Sequence, residues 1–560
     1  MKNKGLMIGA SIGSCVHVAG VVHFLTLAEK EGYESVFLGP AVPVDEIIRS
    51  IGTLHPAYCA LGYRLTPANA VPLVRELKQK FEAAYTGEKR PVMIFGGTKP
   101  VAEEVRKLDF FDVIFDGTED LDDSIFFLRN GRLPGMDAAV LPAWDLVSRI
   151  REKQPYPLLR HHFGLPSYAE TLAGVQKIAE ARVLDVISLG IDQNTQQYFY
   201  HPELRKPENE GAGGVPVRTE AEFAALKEAS RCGNYPLMRC YSGTADVLPF
   251  GEMLKRSIDN AWCAVPLCWY NELDGRGTRK LEDSIADAQA LMRRQSELGI
   301  PVEMNEPHHW GLRDAPDEIS AAMSYISACN AKKAGVRDYV SQYMFNVPAS
   351  LWFSMDLAKV LAQIELVESL EDENFRTYRE VRAGLPLFSA DEYAAKGQLA
   401  ATTMLQMAVN PRIIHVVGYS EATQAATPEI VIESCRIVRG VIRQTLEGSV
   451  NMQADPAVQA RKEEILKEAE YLIRFIRREY AGASSDPLTD PAVIADCIRR
   501  GILDAPHILK NVEFRGNIAT HMDRGRCVAY DRRTGRNLTE EERIDGLMRG
   551  NQEVPYAEQK

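Results

Sequence analysis

The sequence predicts an α/β protein in two unequal parts: a small doubly wound parallel sheet, then a (β/α)8 barrel with a short C-terminal extension. Three observations predict it. Residues 1–130 alternate short apolar runs with amphipathic segments at the spacing of βα units. A proline-bearing stretch, 131–160, interrupts the pattern with Pro134, Pro142, Pro155 and Pro157 and reads as a linker. A second, longer βα series then runs over 161–455. A chain of 560 residues also exceeds what one compact core accommodates.

In the first part, Gly5 to Ala10 is a short apolar strand, and Val18 to Lys30 has helical periodicity stopped by Gly32. Val36 to Gly39 is the next strand, and Asp45 to Ser50 opens the next helix. Strands follow at Tyr58 to Tyr63, Val92 to Gly97 and Val113 to Phe115, with an amphipathic segment between each pair. Parallel strands joined by crossover helices make this a flavodoxin-like domain. In the second part, strands are expected at Val183 to Leu189, Pro236 to Cys240, Cys263 to Trp269, Pro301 to Met304, Tyr339 to Tyr343 and Ile413 to Val417. Long helices such as Leu281 to Leu298 and Ile319 to Ala334 separate several of them. A series this long fits a TIM-type barrel better than a second open sheet. The extension, 456–560, begins with a charged helix, Pro456 to Tyr480, and ends in a Gly- and Arg-rich tail expected to pack on the barrel.

Composition excludes several classes. A net charge of −12 argues against a protein that tracks nucleic-acid phosphates. The apolar run Leu6 to Ile12 is too short for a membrane span, and no signal cleavage site follows it. Ten scattered cysteines with no CxxC pair read as reduced thiols of a cytoplasmic protein.

Directly after the first strand stands Gly13-Ser14-Cys15-Val16-His17-Val18-Ala19-Gly20. A histidine in a loop at the carboxyl edge of a parallel sheet sits where such folds bind ligands, and Gly20 leaves room for a bulky one. Phe95-Gly96-Gly97-Thr98 ends a later strand with two more glycines. The pattern resembles the cobalamin-binding domain of mutases and methyltransferases, with its DxHxxG, SxL and GG motifs. The resemblance implies that His17 is the lower cobalt ligand, the one metal-binding residue, and that Ser14, Cys15, Gly20, Gly62, Gly96 and Gly97 line the cofactor. Two positions depart from it. The Asp that normally orients the histidine is Cys15, and the SxL segment reads Ala60-Leu61-Gly62-Tyr63-Arg64, losing both the Ser and the Leu.

In the barrel, Arg239-Cys240-Tyr241-Ser242-Gly243-Thr244-Ala245-Asp246 resembles the RHGTPD stretch of the large subunit of glutamate mutase (methylaspartate mutase). The likeness continues at Tyr270-Asn271, Asn305-Glu306-Pro307, Glu421-Ala422, Gly501 to Pro506 and Arg526 to Tyr530. The first part is similar to that enzyme's small subunit, with Ile12-Gly13-Ser14 in the shared loop, so the chain resembles both subunits fused. This resemblance implies adenosylcobalamin, radical carbon-skeleton isomerisation, a small-molecule substrate and a homodimer. It names Arg239, Tyr270 and Glu421 as catalytic candidates. The substrate-binding candidates are His162, Gln196, Arg239, Tyr241, Tyr270, Glu272, Glu306 and His308. The family grips its dicarboxylate with three arginines; here the first two become His162 and Gln196, and only Arg239 remains. No acid lies between Ala261 and Leu267, where the partner of the substrate amino group is expected, and a lysine expected beside the adenosyl group is Val417. The substrate is therefore expected to be an amino acid or other small carboxylate, not glutamate. A structural salt bridge is the alternative for Arg239. For His308-His309 a metal site is disfavoured, because neighbours in a strand face opposite ways. A corrinoid methyl carrier or methyltransferase, or a non-catalytic cobalamin sensor, are the alternative functions.

Overall fold

The computed structural model describes residues 4–85, 90–117, 119, 121–131, 142–509 and 513–550. Two compact units divide the chain at Val140/Leu141. The first holds one five-stranded parallel sheet: β1 (Leu6–Ile12), β2 (Glu34–Val42), β3 (Tyr58–Tyr63), β4 (Val92–Gly97) and β5 (Val113–Phe115), in the order β2-β1-β3-β4-β5. Its central strands are buried on both faces, which is why they read as continuous apolar runs. Ile8, Ala10 and Ile12 of β1 pack into one core with Leu61 and Phe95, while Met7 joins Ala60 and Ile94 on the opposite face.

The second unit holds eight parallel strands: β6 (Leu158–Phe163), β7 (Val186–Leu189), β8 (Leu237–Cys240), β9 (Cys263–Val265), β10 (Val302–Met304), β11 (Asp338–Phe345), β12 (Arg376–Ala383) and β13 (Ile413–His415). They follow the order β8-β7-β6-β13-β12-β11-β10-β9. The ends of this order approach each other, with Ala261 N–H donating to the Met238 carbonyl at 2.9 Å and Ser242 N–H to that of Ala264 at 3.3 Å. The sheet is a nearly closed (β/α)8 barrel. Pro266, which has no N–H to give a ladder, ends β9 well before the Trp269 that the apolar run implied. Two strands, β6 and β12, lie where no strand was expected, because their interior positions carry charge.

Of the stretch read as a linker, residues 142–160 hold the helix Leu146–Lys153 and the start of β6. Leu146 and Ile150 pack with Leu158, Val186, Leu237, Trp262, Val340 and Ile413. Residues 132–141, with Pro134, lie outside the described residues, as do 551–560 of the tail. The charged helix of the extension, Pro456–Glu479, packs on the barrel helices Asp317–Lys333 and Phe353–Glu368. It buries Ile465, Leu472, Ile473 and Ile476 in their core. The hairpin β14 (Thr520–Asp523) and β15 (Arg526–Ala529) follows. All ten cysteines are free thiols and eight are buried. No described helix is long and apolar enough to cross a membrane.

Candidate functional site

In the first unit, β2 and β3 lie on opposite sides of β1, so the crevice at the carboxyl edge opens beside the loop after β1. Gly13 turns that loop with φ +68°, and its N–H donates to the Val42 carbonyl at 2.9 Å. Ser11 Oγ then donates to the His17 carbonyl at 2.8 Å, which fixes the backbone under the imidazole. His17 and Ser14 are exposed, whereas Cys15 is fully buried. Cys15 Sγ lies 3.8 Å from His17 Nδ1 and accepts the Arg64 N–H at 3.4 Å. The thiol thus stands where a ring-orienting acceptor is needed, but as a weak one.

The four glycines of the motif divide into two kinds. A Cβ on Gly20 or Gly96 would meet nothing within 4 Å, so both border open space. A Cβ on Gly62 would lie 2.5 Å from Val21 Cγ2, and one on Gly97 2.9 Å from Phe95 Cε1; these two permit close packing inside the domain. Val16 and Leu65, in the loops after β1 and β3, leave 63% and 41% of their surface exposed, an apolar rim at the same edge.

The barrel interior is built in layers from alternate strands. Its lower end is apolar, where Leu158 and Leu237 of β6 and β8 pack with Val340 and Ile413 of β11 and β13, from the other set of strands. Above it, β6, β8, β10 and β12 contribute Arg160, Arg239, Glu303 and Glu380, all buried. Arg160 Nε donates to Glu380 Oε1 at 2.6 Å, and Arg239 donates to Glu303 Oε2 at 2.6 Å. Trp262 Nε1 reaches the same Glu303 oxygen at 2.6 Å, and Gln342 Nε2 bridges to Glu303 at 2.9 Å and to Glu380 at 3.3 Å. Burial raises the carboxyl pKa of Glu380 despite Arg160; for Glu303 burial is outweighed by Arg239 and Arg160, which hold it below the ordinary value.

Two residues further along the same four strands stands a layer at the C-terminal mouth: His162, Tyr241, Asn305 and Arg382. Gly190 makes room for the first of these, since a Cβ there would lie 2.8 Å from the His162 ring. An aromatic wall continues from Tyr241. Its ring lies 5.5 Å from Tyr270, Tyr270 lies 5.5 Å from His309, and His309 lies 4.3 Å from His308. Tyr270 holds φ +66°, a left-handed conformation that costs a tyrosine about 1–3 kcal/mol. Asp274 and Arg276 hold it there: Tyr270 N–H donates to Asp274 at 3.3 Å and the Arg276 guanidinium lies 3.8 Å over the ring. Burial pushes His308 and His309 well towards the neutral form, reinforced by nearby arginines; His162, whose side chain is exposed at the mouth, is pushed the same way by partial desolvation and by Arg239 and Arg160. Tyr241 OH, Asn305 Oδ1, His308 Nδ1, His309 Nε2 and Arg382 Nε are sealed atoms without a hydrogen-bond partner among the described residues. Such atoms are rare in folded proteins, and the group of them at this mouth makes it the candidate ligand site of the barrel.

His162, Tyr241, Tyr270 and His308 are thus brought together around this mouth. Arg239 is not at its rim: it belongs to the layer below, where Glu303 takes its charge. Glu306 is a clamp between loops, accepting Leu267 N–H at 2.6 Å, Cys268 N–H at 3.0 Å and Trp310 Nε1 at 2.9 Å. Glu272 accepts Lys280 Nζ at 2.9 Å and the Leu281 N–H at 3.0 Å, at the start of the helix Leu281–Glu297. Gln196, on the short helix Gln193–Tyr198, donates to the Ile191 carbonyl at 3.0 Å. Glu421 accepts the Gly418 N–H and lies 3.6 Å from His161 Nδ1. The premise that His308 and His309 alternate in a strand is corrected. Pro307 opens a short helix, Pro307–Gly311, and both rings turn to the same side. No group of three or more potential metal ligands occurs among the described residues. Arg160, Glu303, Glu380 and Arg382 went unnoticed in the sequence; the signal was the alternation Glu380-Val381-Arg382, charges facing inwards around an outward valine.

No protein-family model and no curated protein sequence matches the chain. Among solved structures, a novel cobalamin-binding protein from Desulfitobacterium hafniense DCB-2 is 27% identical over 20% of this chain, with a TM-score of 0.18. The chain spans 53% of that protein's length. Oxaloacetate acetylhydrolase in complex with oxalate is 11% identical, covers 60% of this chain and 96% of its own, and has a TM-score of 0.27. The cobalamin-dependent S-adenosylmethionine radical enzyme OxsB, with aqua-cobalamin and S-adenosylmethionine bound, is 10% identical, covers 84% and 56%, and has a TM-score of 0.21.

Proposed function

We propose that the chain is an adenosylcobalamin-dependent carbon-skeleton mutase acting on a small carboxylate other than glutamate. The observation that carries the reading is the carboxyl edge of β1. An exposed imidazole, His17, stands at the crevice of the sheet with its backbone fixed by Ser11, and the two open glycines and the apolar rim surround it. These features fit a large, flat, largely apolar group with a metal that takes one nitrogen ligand. His17 would be that ligand and Cys15 its neighbour; Gly20 and Gly96 would border the ring, and Val16 and Leu65 would cover its apolar surface. Bound adenosylcobalamin supplies a cobalt–carbon bond that breaks homolytically, the source of the radical such isomerisations need.

The remaining work belongs to the barrel. The layer of Arg160, Arg239, Glu303 and Glu380 closes its floor with paired charges, and the mouth orients a substrate with buried, neutral hydrogen-bonding groups. The sequence resemblance to glutamate mutase supports the reaction class, and the rebuilt mouth supports a different substrate.

The test is electron paramagnetic resonance of the cobalt(II) form reconstituted from cobalamin, in protein labelled with ¹⁵N-histidine. Coupling to a protein histidine nitrogen is expected, and His17→Ala should abolish it. Coupling only to the cofactor's own dimethylbenzimidazole refutes the His17 assignment. Adding small carboxylates to the adenosylcobalamin form should then generate a cobalt(II) signal. Reaction only with methylcobalamin makes the chain a methyl carrier, and binding without any response to carboxylates makes it a sensor.

A further inference from the structure

Strand β12 presents alternate residues to the barrel interior. Tyr378 packs at the lower level and Glu380 lies in the charged layer; Arg379 points outwards to Glu368, at 2.6 Å, and Val381 packs in the outer core. Arg382 therefore faces inwards at the mouth, level with His162, Tyr241 and Asn305.

The neighbouring guanidiniums are all spoken for. Arg160 and Arg239 pair with Glu380 and Glu303. Arg276 and Arg313 share Asp274, at 2.7 and 3.5 Å, and lie 3.8 and 3.9 Å over the rings of Tyr270 and Trp269. Arg382 differs. Among the described residues its guanidinium has no hydrogen bond and no ion pair, and its Nε is sealed from solvent. Glu421, Glu380 and Glu303 attract it without forming an ion pair. Arg382 is half-buried, so its guanidinium is partly desolvated with no carboxylate in ion-pair contact, a cost that a bound anion reaching its open Nη atoms would offset. Its fork matches a carboxylate bidentately.

The rest of the layer indicates what surrounds that carboxylate. Tyr241 and Asn305 carry no fixed charge, and His162, His308 and His309 are all pushed towards the neutral form. The unpartnered atoms of Tyr241, Asn305, His308 and His309 offer hydrogen bonds but no second charge. We propose that Arg382 grips the single carboxylate of the substrate, and that the substrate is a monocarboxylate whose other polar atoms are uncharged. This rests on the barrel mouth being the substrate site and needs nothing of the cobalamin reading. A dicarboxylate would bring a second negative charge to a mouth whose other cations are already paired. Inorganic phosphate carries more charge than one guanidinium balances.

The experiment titrates the full-length protein with propionate, succinate and inorganic phosphate by saturation-transfer NMR, with and without added adenosylcobalamin. Wild type is compared with Arg382→Gln and Arg382→Lys. Propionate should bind saturably, and Arg382→Gln should weaken it about 10- to 100-fold, the worth of a charge-assisted pair. Arg382→Lys, a charge without the fork, should fall between. Succinate and phosphate should bind no more tightly than propionate. Because the substitution removes an uncompensated cation, ligand-free Arg382→Gln should melt no lower than wild type, which also shows that it folds. Equal propionate affinity in wild type and Arg382→Gln overturns the proposal, as does failure of propionate to bind. Tighter succinate binding overturns the monocarboxylate assignment, and tighter phosphate binding the carboxylate one. Since cobalamin is not required, failure here is separable from failure of the His17 assignment.

Discussion

Cys15 and His17 are two residues apart, yet one is fully buried and the other exposed, with Sγ 3.8 Å from Nδ1. A carboxylate at position 15 would meet two donors, the imidazole N–H and the Arg64 N–H that the thiol now accepts at 3.4 Å. Cys15→Asp is therefore expected to tighten adenosylcobalamin binding by about 10–100-fold, the usual value of an outer partner of a metal-bound histidine. Spectrophotometric titration of the apoprotein measures it; unchanged or weaker binding shows that the buried thiol is the matched partner. Arg239 was legible as a functional residue only in kind. Its pairing with Glu303 makes it a member of the charged layer, so Arg239→Ala should destabilise the barrel by about 3–5 kcal/mol by stranding a buried carboxylate. Urea unfolding decides it, since a purely substrate-binding arginine would leave the midpoint unmoved.

At the scale of elements, the helix Asp317–Lys333 is buried at most positions because barrel strands cover one side and the helix Pro456–Glu479 the other. That sandwich encloses polar groups. Arg461 donates to Asp317 at 2.8 Å, whereas Glu318 lies 4.0 Å away. Burial pushes the Glu318 carboxyl from 4.5 to about 8, with Arg461 opposing. The sign follows from the raised value: the folded chain keeps a proton that the unfolded chain releases, so stability falls as pH rises from about 4.5 to 8. The slope is at most about 1.4 kcal/mol per pH unit for one proton. Glu318→Gln keeps the neutral form and should lose this dependence, becoming more stable than wild type at pH 8 and similar to it near pH 4.5. Urea unfolding at both pH values measures the difference; parallel profiles for the two proteins contradict it. Elements were legible where their cores are apolar, as in β1, β3 and β4. Strands β6 and β12 were missed because Arg160, Glu380 and Arg382 occupy positions where a buried strand ordinarily carries aliphatic residues.

At the scale of the molecule, the first unit has its own cores on both faces of its sheet. A fragment of residues 1–131 is therefore expected to fold alone, to melt cooperatively and to bind cobalamin with the same His17-dependent spectrum as the full chain. A fragment that folds but does not bind shows that binding needs the second unit, and one that does not fold denies the domain its independence. The barrel and its extension are one unit, since the helix Pro456–Glu479 contributes to the barrel's own core.

The sequence by itself determined the α/β class, the two βα series and the loop bearing His17, because these rest on local periodicity and on glycines next to strand ends. Only the tertiary structure decided the chemistry of the barrel. Arg160 meets Glu380 across 220 residues and Arg239 meets Glu303 across 64, pairings that exist only once the sheet curls on itself. The same closure buries His308 and His309, which pushes them towards the neutral form, and leaves the Arg382 guanidinium without an ion pair among the described residues. A residue's charge is written in the sequence, but whether another charge cancels it depends on which strands become neighbours.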